Sequence, residues 1–231
     1  MTAAPARPRR LVLVSGTGTS VGKTWMAAGV LAALRADGVT VAARKPVQSF
    51  APGEGPTDAD VLAAATGERA EAVCPTHRWY EVPQAPPMAA TALGRPPFTV
   101  ADLVAELAWP PGVDVSVVEA VGGVRSPLAD DGDTVALAAA LRPDLVVLVA
   151  DAGLGTLNAV RLSAEALAGH PLVVVLNRYD ESDDLHRANR AWLTERDHLD
   201  VLASPEEVAG VVVQHPFASR PVTKGFFQNL S

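Results

Sequence analysis

The residues with the clearest chemical meaning are Gly16 to Thr24, Gly-Thr-Gly-Thr-Ser-Val-Gly-Lys-Thr, which follow a short apolar run and open a helical pattern. Gly16, Gly18 and Gly22 let backbone N–H groups converge on phosphate oxygens, and Thr17, Thr19, Ser20 and Val21 complete the turn that carries them. The helix beginning there adds its partial positive end. Lys23 is placed to reach the terminal phosphates of a nucleotide, and the Thr24 hydroxyl to face magnesium. Five residues, rather than the commoner four, separate Gly16 from Gly22, so the loop is a variant. Farther along, Asn177-Arg178-Tyr179-Asp180 stands at a strand end, where purine bases are commonly read. The Asn177 amide can both donate to and accept from a base edge, while Asp180 can accept two guanine N–H groups; this segment alone leaves ATP and GTP open. His77, His170, His186, His198 and His215 show no metal-ligand spacing.

Runs rich in Val, Leu and Ala alternate with helical patterns, as in a parallel sheet buried on both faces. The expected strands are residues 11–15, 39–44, 113–119, 145–150, 172–176 and 201–203. The expected helices are 23–36, 58–65, 100–108, 134–141, 158–167 and 183–195, with Thr99 capping one and Gly38, Gly67 and Gly169 ending others. The predicted fold class is α/β: a three-layer P-loop NTPase architecture with a mostly parallel central sheet flanked by helices. Right-handed crossovers gather the strand ends that precede helices along one edge, where open α/β sheets bind ligands. The stretch 82–97, with Pro83, Pro86, Pro87, Pro96 and Pro97, reads as an extended loop over the sheet.

The chain has 231 residues, 48% of them hydrophobic and 19% charged, an ordinary globular balance with length for a substantial core. Residues 1–10 read as a disordered basic leader and 11–231 as a single domain. A net charge of −7 disfavours a nucleic-acid partner, and no apolar run has the length of a membrane span. A lone cysteine, Cys74, fits a reducing cytoplasm and reads as a small core residue.

The variant loop resembles that of dethiobiotin synthetase, a biotin-pathway ligase family with the same five-residue spacing. The resemblance continues in order. Arg44-Lys45-Pro46-Val47-Gln48-Ser49 is similar to the family's Lys-Pro-Val segment, and Asp58 to the acidic residue opening its next helix. Val118-Glu119-Ala120-Val121-Gly122-Gly123 resembles its Glu-Gly-Ala-Gly-Gly segment, and Leu154-Gly155-Thr156-Leu157-Asn158 a loop after a later strand. Asn177 matches its base-contacting asparagine, which favours ATP. The match spans most of residues 11–180. Two segments depart from the family: Ala120 and Val121 replace Gly and Ala, and Ala85-Pro86-Pro87 stands where a Ser-Pro-His element is usual.

The resemblance implies site roles that elementary chemistry supports. Glu119, a carboxylate ending an apolar strand, calls for a cation or a donor. With Thr24 and Asp58 it completes a hard oxygen set for Mg2+. Asp58 can also be a plain helix cap, and Asp60 is a neighbouring competitor. Arg44 and Lys45 place two cations where a carboxylate or carbamate meets a phosphoryl donor, with Lys45 and Lys23 in the catalytic role. Ser49, Gly122 and Asn158 are the further substrate-side residues.

The implied activity is that of an ATP-dependent cyclo-ligase. It joins CO2 to 7,8-diaminononanoate as a carbamate, phosphorylates that carbamate, and closes the cyclic urea of dethiobiotin. A cytoplasmic homodimer without nucleic-acid or membrane partners is the expected setting. Two other readings remain at this point: a paralogue that binds nucleotide without this reaction, and a partition-type ATPase switch. The uncharged Thr17, where partition ATPases carry a second lysine, speaks against the latter. Amidation of a cobyrinate-type acceptor would normally need a glutaminase domain, for which the length leaves no room.

Overall fold

A computed structural model describes residues 7–214. His215 and the first six positions of the expected leader lie outside the described residues. The elements, in order, are β1 (Arg10–Gly16), α1 (Lys23–Ala36), β2 (Val41–Arg44), β3 (Gln48–Ser49), α2 (Asp58–Thr66), α3 (Ala70–Val73), a 3-10 turn (Thr76–Arg78) and β4 (Trp79–Tyr80). There follow α4 (Pro86–Ala92), α5 (Val100–Ala105), β5 (Val115–Glu119), α6 (Thr134–Leu141), β6 (Leu145–Asp151), α7 (Thr156–Ala166), β7 (Leu172–Asn177), α8 (Asp184–Glu195), β8 (Val201–Leu202) and α9 (Pro205–Gln214).

Six strands form one sheet in the order β2-β5-β1-β6-β7-β8, every pairing parallel. Successive side chains of a strand point to opposite faces, so β1 feeds two cores at once. Leu11 and Leu13 join Leu128, Leu137 and Val160 on one face. Val12 and Val14 join Met26, Leu31 and Val208 on the other. The helices thus make the outer two of three layers, as the apolar runs predict. In α1 the buried residues Met26, Ala27, Val30, Leu31 and Leu34 follow helical spacing and present one stripe to the sheet.

The strand register aligns the chemistry. Val14 lies beside Glu119, Gly16 beside Val149, Arg44 beside Val118 and Asp151 beside Asn177. The C-terminal ends of β1, β2, β5, β6 and β7 therefore meet at one edge.

Two expectations need correction, and one further helix appears. The proline stretch is not wholly extended: Pro86 and Pro87 occupy the first positions of α4, where the missing N–H costs nothing and the fixed φ suits a helix. The last element, α9, begins at Pro205, and the Ser204 hydroxyl accepts the Glu207 N–H at 3.2 Å as an N-terminal cap. The basic leader gives way to strand at Arg10, which pairs with Val115. Among the described residues no helix is long and apolar enough to cross a membrane.

Candidate active site

The loop between β1 and α1 is held from several sides. Thr17 N donates to Val149 O of β6 at 2.9 Å. Asn177 Nδ2, at the end of β7, donates to Val21 O at 2.9 Å. Gly22 has φ +96°, and a Cβ there would sit 2.0 Å from Asn177 Nδ2, so both conformation and space demand glycine. Lys23 Nζ donates to Gly18 O at 2.9 Å, which curls the lysine over the loop. Burial, and then the charge of Lys45, push the Lys23 ammonium down to about 8. Asn177 is buried against the loop backbone.

The second cluster joins three elements. Lys45, directly after β2, is 1% exposed, and its Nζ lies 2.6 Å from Glu119 Oε1 and 2.7 Å from Asp58 Oδ2. Thr24 Oγ1 lies 2.8 Å from Asp58 Oδ1 and 2.9 Å from Glu119 Oε1, although one hydroxyl proton can serve only one of them at a time. Burial alone would lower the Lys45 ammonium, but Glu119 and Asp58 more than reverse this and hold it above the ordinary lysine range. Burial pushes the Glu119 carboxyl up despite Lys45. Burial acts the same way on Asp58, yet Lys45 and the Thr24 hydroxyl bring it below its usual value.

Asp58 is the first residue of α2 and not its cap. Thr57 is the cap, and it exchanges a reciprocal capping box with Asp60. Asp60 is thereby occupied locally, and Asp58 is left to face the phosphate loop. The described residues contain no cluster of three His, Cys, Asp or Glu side chains suited to a metal. Two carboxylates and a threonine hydroxyl nevertheless fit Mg2+, which usually takes one or two carboxylates and completes its shell with waters and phosphates. Glu119 Oε2 is buried without a hydrogen-bond partner, an orphaned acceptor that such an ion would satisfy.

These groups line one cleft of about 750 Å³, which also holds Ser49, Gly122, Val121 and Pro86. Ser49 Oγ donates to Gln84 O at 2.6 Å. Gly122 has φ +60° and leaves no room for a Cβ, which would meet Ser126 Oγ at 2.5 Å. Arg44 does not join Lys45: neighbouring residues diverge at a strand end. Its guanidinium binds Glu68 at 2.8 Å and stacks over Trp109 at 5.2 Å. Asn158 is exposed in the first turn of α7 and lies outside the cleft lining of its own chain. Asp180 caps Ser182 through its Oδ1, at 2.8 Å from the Ser182 N and 2.7 Å from its Oγ. Among the described histidines, His77 pairs with Glu106 at 3.1 Å, and His186 Nδ1 accepts the Asp180 N–H at 3.0 Å.

Sequence reasoning passed over Trp25, 60% exposed at the cleft, and Ser126, whose Oγ accepts the Gly123 N–H at 2.9 Å. A signal existed for Trp25, since it falls off the buried stripe of α1. Ser126 carries none, because only the fold brings it back to Gly122 and Gly123.

The chain is 39% identical over 209 residues to a protein of Anaeromyxobacter dehalogenans named ATP-dependent dethiobiotin synthetase, covering 87% of this chain and 92% of that one. The chain belongs to the dethiobiotin synthetase family. A member from Rhodococcus jostii is 37% identical over 220 residues, covering 92% and 93% of the two chains. The family description "AAA domain" matches residues 10–212. In fold alone, the chain resembles a DUF1611 family protein from Anabaena variabilis, with a TM-score of 0.50, 18% identity and coverage of 90% of this chain and 58% of that one. The segments by which the sequence resembles the dethiobiotin synthetases at Gly16, Lys45, Asp58 and Glu119 are those that the fold gathers around the Lys45 cluster.

Proposed function

We propose that this chain is itself an ATP-dependent dethiobiotin synthetase, acting on 7,8-diaminononanoate and CO2 in the cytoplasm as a homodimer. The observation that carries the reading is the convergence of Lys23, Lys45, Thr24, Asp58 and Glu119 on one cleft, in a chain that is 39% identical over 87% of its length to a protein named ATP-dependent dethiobiotin synthetase.

In this reading one amine of the substrate combines with CO2 to form a carbamate. A carbamate oxygen attacks the γ-phosphorus of ATP, the bond to the bridging oxygen breaks, and ADP leaves. The second amine then attacks the carbonyl of the mixed anhydride; phosphate departs and the cyclic urea closes. The steps need positioned charge more than covalent help from the protein. The glycine loop and Lys23 hold the polyphosphate. Lys45, kept charged by its two carboxylates, neutralises the oxygens passing between carbamate and phosphate. Thr24, Asp58 and Glu119 would hold Mg2+, which when bound supplies positive charge to the phosphate oxygens. Ser49 and Gly122 face the acceptor. Asn177 contributes to the base site beside the loop it already braces, with adenine favoured by the relatives' name.

Leu154, just before α7, and Leu162, in the middle of it, are 93% and 61% exposed and offer apolar surface to a second copy. Such a copy would also bring Asn158 toward a neighbouring cleft. Incubation of the purified protein with the diamine, bicarbonate and Mg-ATP tests the reading, with dethiobiotin detected by mass spectrometry. Nucleotide binding without product would refute it.

A further inference from the structure

Asp58 serves the cation site from the first turn of a helix, and something must fix that turn relative to Lys45 and Thr24. The preceding loop is poorly suited to do so: Gly53 and Gly55 have φ of +84° and +97°, and neither has a neighbour within 4 Å of a built Cβ. The capping box of Thr57 and Asp60 is internal to α2 and ties it to nothing else.

Gln48 supplies an external tie. It lies in β3, three residues after Lys45, and is only 2% exposed. Its Oε1 accepts the Ala59 N–H at 3.0 Å, one of the first-turn donors that a helix cannot satisfy within itself. Its Nε2 is buried with no hydrogen-bond partner. An aliphatic side chain of similar size would avoid that penalty, so the acceptor end is what this position uses.

We infer that Gln48 is a positioning residue for the cation site: it pins the first turn of α2 to the segment carrying Lys45, so that the Asp58 carboxylate faces Thr24 at the phosphate loop. The inference rests on reading Thr24, Asp58 and Glu119 as cation ligands. It adds a residue outside the ligand set whose effect is on the placement of one ligand.

The test is Mn2+ binding, followed by electron paramagnetic resonance in the presence of a non-hydrolysable ATP analogue. Gln48→Met should weaken Mn2+ binding about five- to tenfold, the scale of one lost hydrogen bond. Affinity for the analogue in EDTA should stay unchanged. Gln48→Glu offers Ala59 an acceptor oxygen in either protonation state and should restore Mn2+ binding to within about twofold. Gln48→Asn falls one methylene short and should behave like the Met variant; it carries the test if Gln48→Met does not fold. A lowered melting temperature with Mn2+ affinity within twofold of wild type would assign Gln48 a purely structural role and overturn the inference. Asp58→Asn separates the two ideas. If that change leaves Mn2+ binding intact, the cation-site reading fails; if it weakens binding while Gln48→Met does not, only the role of Gln48 fails.

Discussion

At the scale of single residues, the decisive feature is a lysine buried between two carboxylates. Lys45 and Glu119 are both essentially inaccessible, and removing one charge of such a pair leaves the other uncompensated. Lys45→Met should therefore lower stability by roughly 3–5 kcal/mol and abolish ring closure. Added Mg2+ should recover part of the lost melting temperature in this variant more than in wild type, because the ion can replace the missing positive charge between Asp58 and Glu119. Thermal denaturation with and without Mg2+ measures both effects.

Cys74 gives a prediction of a different kind. Burial raises its thiol to about 12, against 9.0 for the free group. At pH 8 the native thiolate is scarce, so alkylation should run at least about a hundredfold slower than in denatured protein. The unfolded chain ionises this thiol first, so its contribution to stability is complete below pH 9 and is lost as the pH rises toward 12. Denaturant midpoints at pH 8 and pH 10, compared between wild type and Cys74→Ala, detect that loss.

At the scale of elements, the phosphate loop depends on its neighbours. Gly22 meets Asn177 from β7, and Thr17 is bonded to β6. Gly22→Ala would force a Cβ into the Asn177 amide at a positive φ, so the loop must shift. Nucleotide affinity should fall at least about tenfold while the sheet, judged by circular dichroism, stays intact. Titration with a fluorescent ATP analogue reads this directly.

Much of this element scale was legible in the sequence. Val, Leu and Ala runs mark all six strands of the main sheet, because parallel strands buried on both faces leave little choice of residue. Gly22 and Lys23 mark the start of α1. The two-residue strands β3 and β4 carry no such mark: Gln48 and Ser49 pair with Trp79 and Tyr80 across thirty-one positions of sequence, and nothing local encodes that pairing. Helix α4 went unseen for another reason, since two prolines that end a helix from within can equally begin one. Within the site, the residue types at positions 24, 45, 58 and 119 were readable, but the direction of Arg44 and the tie from Gln48 to Ala59 arise only in three dimensions.

At the scale of the molecule, a chain with net charge −7 keeps two of its cations, Lys23 and Lys45, at a single sheet edge. Asp58 and Glu119 stand at the same edge and balance the two lysines. The exposed leucines near α7 belong to this scale also. Leu162→Glu should shift a dimer toward monomer in light scattering and reduce synthetase turnover, while nucleotide binding to the intact loop persists. Unchanged mass with full turnover would remove this face from the interface.

In the proposed reaction, a carbamate formed at this cleft is phosphorylated by the nucleotide and then closed to a cyclic urea. Its most direct measurement is a rapid-quench reaction with the diamine, Mg-ATP and 18O-labelled bicarbonate, analysed by mass spectrometry. Dethiobiotin and ADP should appear in equal amounts, and the released phosphate should carry one labelled oxygen from the carbamate. ADP forming without dethiobiotin, or phosphate that carries no label, would contradict the mechanism.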